Sequence, residues 1–481
     1  MIKILFAVWE LDPFIKVGGL GDVARSLPAA LADLGVDIRV VLPYYKAIRL
    51  GRIKKNFAGE FKLDYGGTLE KVEIIEVANP ITMIPVYLLR NDKYLGVAHH
   101  PDTFAFFDKA IIKIISENVL SWLPEIIHCN DLHTGLIPLL VRENKIGVKT
   151  ILTIHNLSYQ GKASVDVLDK LKMDQTKCHL ENWEIENKKL NFLMEGIIHA
   201  DIVTTVSPTY AKEIMTEEFG CGLEEVLRGK EGRVFGILNG IDNNWRSNSH
   251  TRYVKYPYMS LKYKTSENIQ AKIYNWEEGK MKNKLYLQKK LGLKKGSSIP
   301  MLSFIGRIDP NQKGIDILHK MVRKANLSEY ELVILGTGNQ SWEERFQWLG
   351  QFYPDNVSCN FKFDEKLANQ IYAASDFILI PSKFEPCGLI QMIAMFYGTL
   401  PIAHKTGGLI DSIKNNVNGF IFDNYSSEAL ENAVQKALFI WYQDKPRYKT
   451  MVESAIESDF SWRVSAKQYL SLYQELINNT L

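Results

Sequence analysis

Short β-branched and apolar runs alternate with amphipathic stretches along the whole chain. "IKILFAV", "ARSLPAALADLG" and "VDIRVVLP" form a β-α-β unit within residues 1–43. Further strands of the first half are predicted at "TMIPVYLL", "EIIHC", "KTILTIH", "IVTTVS" and "VFGILNG", with helices filling the gaps. Several of these runs end in polar residues, as a buried parallel strand does where it emerges into a loop. Between Asp242 and Ser298 the pattern turns polar and rich in Lys and Tyr, closing on the helical "KMKNKLYLQKKLGL". The rhythm then restarts with "MLSFIG", "ELVILG", "VSCNF", "FILIP", "LPIAH" and "GFIF". The terminal "SAKQYLSLYQELI" has helical spacing and a face to bury. The expected organisation is two α/β domains, residues 1–242 and 243–461, with 462–481 as a helix packing back on the first.

Composition narrows the function classes. A chain of 481 residues exceeds one ordinary core, which supports two domains. With 58 Lys and Arg against 55 Asp and Glu, the net charge of +3 gives no footprint for nucleic acid or an anionic membrane. Five cysteines without a CxxC suggest neither a disulfide framework nor a zinc site. The opening "MIKILFAVWELDPF" is too short in its apolar part for a signal peptide, and no run reaches membrane-spanning length. A cytoplasmic protein acting on a small or neutral substrate is therefore expected.

One motif occurs twice: "KVGGLGD" at Lys16–Asp22 and "KTGGLID" at Lys405–Asp411. Each copy follows a strand and loop and opens a helical stretch. Paired glycines allow close backbone approach, and a helix N-terminus with a nearby lysine suits an anion. Two tight strand-to-helix turns would read the same way, but the repetition of Lys, Gly-Gly, Leu and Asp favours two anion-holding turns. The spacing is not G-x-G-x-x-G, so a hydride-transfer dinucleotide site is not expected.

"PSKFEPCGLIQMIAMFYGTLPIAHKTGGLIDSI", "KVGGLGDV", "HCNDLHTGLIP", "LTIHNLSYQG", "TVSPTYAKEI", "GILNGID" and "SFIGRIDPNQKGID" together closely resemble the bacterial glycogen synthase and plant starch synthase family. The resemblance implies a retaining glucosyltransferase with two Rossmann-like α/β domains facing a deep interdomain cleft, the GT-B type. It implies ADP-glucose as donor and the end of an α-1,4-glucan as acceptor. A catalytically inactive glucan-binding relative, and a same-fold transferase using UDP-glucose or a small acceptor, are the alternatives.

Glucosyl transfer builds positive charge on the sugar and negative charge on the departing diphosphate. No D-x-D is present to hold a metal, so no metal or cofactor is expected and the countercharge must come from side chains and helix ends. The resemblance assigns Arg307 and Lys313 to the diphosphate; both are expected to project from a strand-end loop and to carry little packing. It places Glu385 at the donor glucose and essential for turnover. Ile393 occupies the position of a second carboxylate in other retaining transferases, so no carboxylate pair is expected. Lys16, Gly18 and Gly19 join the donor site from the first motif, and Thr406, Gly407 and Gly408 from the second. Cys387, Gly388 and Leu389 line it from "EPCGL", Cys387 reading first as a packed small side chain.

In the first domain the resemblance brings Asp131 to the acceptor or the reacting sugar and His155 to the donor glucose, with Asp22, Asn156 and Asn239 on the acceptor or sugar side. His128 and His133 are expected to orient the loop, and Ser207 with Pro208 to cap a helix. The segment "GVAHHPDTFAFF", with Thr103 before Phe104, is shorter than the family's acidic loop, which bears on acceptor length.

Overall fold

The computed structural model describes residues 1–97, 100–179, 189–242, 253–259, 274–294 and 296–480. They divide into two compact units, residues 1–240 with 462–481, and residues 241–461.

The first unit is built on nine strands: β1 (Lys3–Ala7), β2 (Asp37–Pro43), β3 (Asn56–Tyr65), β4 (Thr68–Ala78), β5 (Pro85–Arg90), β6 (Ile126–Asn130), β7 (Lys149–Ile154), β8 (Ile202–Thr205) and β9 (Val234–Gly236). Their order is β9-β8-β7-β6-β1-β2-β5-β4-β3. The seven strands from β9 to β5 run parallel. Ile4, Phe6, Ile126, Ile127, Ile151 and Leu152 are fully buried, as both faces of a covered parallel sheet require. The chain order reverses between β1 and β6, and ligands of such sheets bind beyond the strand ends at that point.

Residues 56–78 depart from expectation. They form the antiparallel hairpin β3–β4 on the edge of the sheet, not a helix between strands. Its alternation is one-sided: Phe61, Leu63 and Tyr65 are buried while Glu60 and Lys62 face water.

The second unit holds β10 (Met301–Ile305), β11 (Glu331–Leu335), β12 (Val357–Asn360), β13 (Phe377–Ile380), β14 (Leu400–His404) and β15 (Phe420–Phe422). All are parallel, in the order β12-β11-β10-β13-β14-β15. This is the 3-2-1-4-5-6 order of a dinucleotide-fold sheet, with its reversal between β10 and β13. Its core runs through Leu302, Leu332, Phe377, Ile378, Ile402 and Val452.

The last helix, Trp462–Ile477, belongs to the first unit, where it packs on the helix Leu20–Ala32. Tyr473 donates or accepts at His128 Nδ1 across 2.6 Å, and Ser465 Oγ donates to the Leu238 carbonyl at 2.5 Å. Among the described residues no helix is long and apolar enough to cross a membrane. The five cysteines are free thiols.

Candidate active site

The first glycine motif leaves the C-terminal end of β1 and opens α1 (Leu20–Ala32), whose first turn has no side-chain cap. Its uncapped N–H groups are the orphan donors that a helix start offers to an anion. The loop is held from beneath by Glu10, 1 % exposed, whose Oε2 accepts the N–H groups of Val17 and Gly18. A Cβ added at Gly19 would meet nothing within 4 Å, so open space lies in front of this backbone. Lys16 does not stand alone: its Nζ is 2.7 Å from Asp22 Oδ1, and Arg25 approaches Asp22 at 3.7 Å. The residues expected on the donor and acceptor sides of this loop are thus joined in one ion pair.

At the other side of the same reversal, β6 ends at Asn130 and Asp131 takes φ 56°, an unusual conformation for a residue other than glycine. It turns the carboxylate so that Oδ1 accepts the His155 N–H at 2.7 Å. Asp131 keeps some accessible surface, but its carboxyl group lies deep, and burial pushes its pKa up to about 7. His155 Nε2 donates to Asn130 Oδ1 at 2.9 Å, and burial lowers its pKa to about 3. The ring is therefore neutral at physiological pH. Asn156 turns back on its own chain, accepting the Ser158 N–H at 3.0 Å. Asn239 is buried, and its Oδ1 has no hydrogen-bond partner among the described residues.

His128 and His133, expected to orient the loop, are both packed against neighbouring side chains. His128 is fully buried between Tyr473 and Thr153, each at 2.6 Å. His133 stacks on Trp9 with centroids 4.3 Å apart and receives the edge of Phe104 at 4.6 Å. Thr103 is buried beside it and donates to the Val97 carbonyl at 3.1 Å. Ser207 caps Pro208–Glu213, accepting the Tyr210 N–H at 3.1 Å.

In the second unit Arg307 and Lys313 follow β10, and Glu385 follows β13, so the two loops flank the reversal of the sheet. Two close contacts fasten them to each other, and a third ties the loop after β13 to β14. Lys383 N–H donates to the Gln312 carbonyl at 2.8 Å, and His404 Nδ1 meets the Ser382 carbonyl at 2.8 Å. Gly314, at φ 65°, lies so close that a Cβ would fall 1.8 Å from the Pro381 carbonyl.

Glu385 is 8 % exposed and accepts from Lys313 Nζ at 2.6 Å and Ser382 Oγ at 3.0 Å. This corrects the expectation that both cations of "GRIDPNQKG" are loosely held. Lys313 is largely buried in an ion pair, whereas the Arg307 side chain is 56 % exposed, leans on Gln312 Oε1 at 2.6 Å and approaches Asp309 Oδ2 at 3.8 Å.

The second glycine motif opens α6 (Gly407–Ser412) behind a buried Thr406. Its glycines have a packing reason that the first copy lacks. Gly408 N–H donates to the Glu385 carbonyl at 3.1 Å, and a Cβ there would sit 2.2 Å from the Cys387 carbonyl. Gly407 needs φ 43°, and Gly388, at φ 73°, leaves room for the Gln391 amide. Leu389 stands at the N-cap of Ile390–Phe396, and Cys387 is buried. Glu385, "CGL" and the second glycine turn are therefore one packed substructure. Sequence reasoning missed Glu10, Gln312 and Ser382; a carboxylate directly after the apolar "ILFAVW" was the available signal for the first.

Two sheets, the first parallel apart from its edge hairpin and the second parallel throughout, each carry charged or helix-start groups at the reversal point, and with the comparisons below they define a glycosyltransferase of the two-Rossmann-domain, GT-B class. The comparisons carry this further. A family model described as the starch synthase catalytic domain matches residues 3–229, and one for group 1 glycosyl transferases matches residues 287–457. The chain is 39% identical to a glycogen synthase of Clostridium beijerinckii, with 99% of each chain covered. It is 39% identical to one of Lactococcus lactis, covering 99% of this chain and 100% of the other. The catalytic domain of starch synthase IV from Arabidopsis thaliana, solved with ADP and acarbose, superposes with a TM-score of 0.84 at 30% identity over 99% of both chains. A sucrose-phosphate synthase of Thermosynechococcus elongatus shares the fold at TM-score 0.61 and 18% identity. The protein belongs to the glycogen synthase and starch synthase family and is a glycogen or starch synthase by function.

Proposed function

We propose that the protein transfers glucose from ADP-glucose to the non-reducing 4-OH end of an α-1,4-glucan, with retention at the anomeric carbon. The observation that carries this reading is the buried Lys313–Glu385 pair set beside the exposed Arg307 at the reversal of the second sheet. A nucleoside diphosphate leaving from that edge meets an exposed guanidinium, which exchanges its contacts with Gln312 and Asp309 for the phosphate, and a buried ammonium paired with Glu385. Arg307 offers a planar fork to two phosphate oxygens, and Lys313 adds a point charge. Glu385, held on one oxygen by Lys313 and Ser382, is positioned to accept from a sugar hydroxyl with the other. Thr406, Gly407, Gly408, Gly388 and Leu389 supply the backbone wall of this donor site; Lys16, Gly18 and Gly19 form an anion-holding turn at the reversal of the first sheet.

The first unit takes the glucan end on this reading. Neutral His155 cannot repel a developing oxocarbenium ion, and its main chain lies beside Asp131, whose carboxylate form favours positive charge. Asp22, Asn156 and Asn239 lie on the acceptor side, and the short segment before Phe104 sets how much acceptor is held. The bound ADP and acarbose named for the starch synthase IV structure agree with this pairing of substrates.

The test measures incorporation of labelled glucose from ADP-glucose and UDP-glucose into glycogen and maltooligosaccharides. Faster use of ADP-glucose, with label released by an α-1,4-specific exoglucosidase, is expected. Equal or better use of UDP-glucose, or label ending in a disaccharide or sugar phosphate, would replace the reading.

A further inference from the structure

Outside the candidate active site, α3 (Phe192–His199) presents Glu195 and His199 on one face, four residues apart. The incoming chain brings His179 against them. Glu195 is fully buried, yet among the described residues its Oε2 has no hydrogen-bond partner, and neither has His199 Nε2, on a side chain 5 % exposed. These two atoms face each other at 3.2 Å, and His179 Nδ1 is 3.6 Å from the same oxygen. Glu195 Oε1 is occupied by the His179 N–H, which fixes the carboxylate in this orientation.

The spacing has a simple meaning. Ligands bound at about 2.0–2.2 Å around a tetrahedral ion lie roughly 3.3–3.6 Å from one another. Two of the three edges already fall near that range, and all three ligand atoms lie within 4.8 Å of one another. A buried carboxylate oxygen that meets no well-aligned donor is costly unless a cation meets it. We infer that His179, Glu195 and His199 form a binding site for a divalent transition metal ion of the zinc type, with the fourth position toward solvent on the exposed His179 side.

One neighbour must yield. Arg142 Nη1 lies 3.3 Å from His199 Nδ1 and can only donate, so with that contact in place the imidazole proton sits on Nε2. Metal binding takes the Nε2 lone pair, the proton moves to Nδ1, and the exposed Arg142 side chain turns away. The bound ion would tie residue 179 to α3, whose Gly196 packs against Gly135 in the loop after Asp131; a Cβ at Gly196 would lie 2.8 Å from the Gly135 carbonyl.

The experiment titrates Zn²⁺ into the metal-stripped full-length protein against a chromophoric chelator, and records melting temperature with and without one equivalent. One saturable equivalent and a higher melting temperature are expected. His179→Ala, at a side chain 57 % exposed, leaves the fold intact and should weaken binding about a hundredfold or more. Glu195→Gln should do the same while keeping shape. Absence of saturable binding overturns the site. So does binding unchanged in His179→Ala, which would place the ion elsewhere, for example on exposed Cys221. Neither result bears on donor choice, which is read from product formation.

Discussion

Lys313 Nζ lies 2.6 Å from Glu385 Oε2, and both side chains are largely buried. The two cations of "GRIDPNQKG" are therefore different kinds of residue: one is half of an internal ion pair, the other is open to an arriving anion.

Arg307→Ala should lower kcat by about 10² to 10³, the range for one lost donor to a developing anion. The melting temperature should stay within about 1 °C, since no cavity forms at an exposed site. Lys313→Ala should lower both. It strands a buried carboxylate, which costs about 3 kcal/mol, and a domain of this size loses about 2–4 °C per kcal/mol. Enzyme assays and thermal melts on both variants decide; equal loss of stability in the two would remove the distinction.

The two glycine motifs separate in the same way. Gly408→Ala should destabilise strongly, because its Cβ would lie 2.2 Å from the Cys387 carbonyl. Gly19→Ala adds its methyl to open space at a helical φ of −72° and should melt normally while losing donor affinity. A normal KM in folded Gly19→Ala would mean that no ligand uses that space.

Asp131 gives a pH test. Its folded pKa of about 7 lies above the unfolded carboxylate value of about 3.9. The native state then holds the extra proton between those values, so this group's contribution is complete below about 3.9 and is lost as pH rises through 7. Asp131→Asn cannot titrate and tolerates the positive φ. Its melting temperature should gain on the parent as pH goes from 5 to 8. A constant difference across that range would contradict the raised pKa.

Transfer itself should need no divalent ion if Arg307, Lys313 and helix starts neutralise the diphosphate. After chelation and dialysis, activity at a temperature well below melting should persist, while the melting temperature falls through loss of the ion at Glu195. Complete loss of activity, restored only by Mg²⁺ or Mn²⁺, would refute the leaving-group argument.

Much of this was legible in residue order. Buried parallel strands such as "KILFA" and "FILI" announce themselves as unbroken apolar runs, and loops at their ends carry the charged motifs. The hairpin at 56–78 was missed because its charges interrupt the run, although Phe61, Leu63 and Tyr65 keep a two-residue period. The pairing of Lys313 with Glu385 spans 72 residues and depends on two loops meeting at one sheet reversal, which no local pattern encodes. The same holds for Glu10 beneath Gly18, where the sequence marks the charge but not its partners.

The return of Trp462–Ile477 to the first unit has a consequence for biosynthesis. His128, with no surface exposed, relies on Tyr473 for one of its two ring partners, and Tyr469 packs against the same imidazole. A nascent chain that has finished residue 240 still lacks those tyrosines. At about 5–20 residues per second, the ribosome needs roughly 10–45 s to supply them. Through that interval the first sheet waits with an apolar flank uncovered, so chaperone demand should peak late in translation and not when the first sheet is completed.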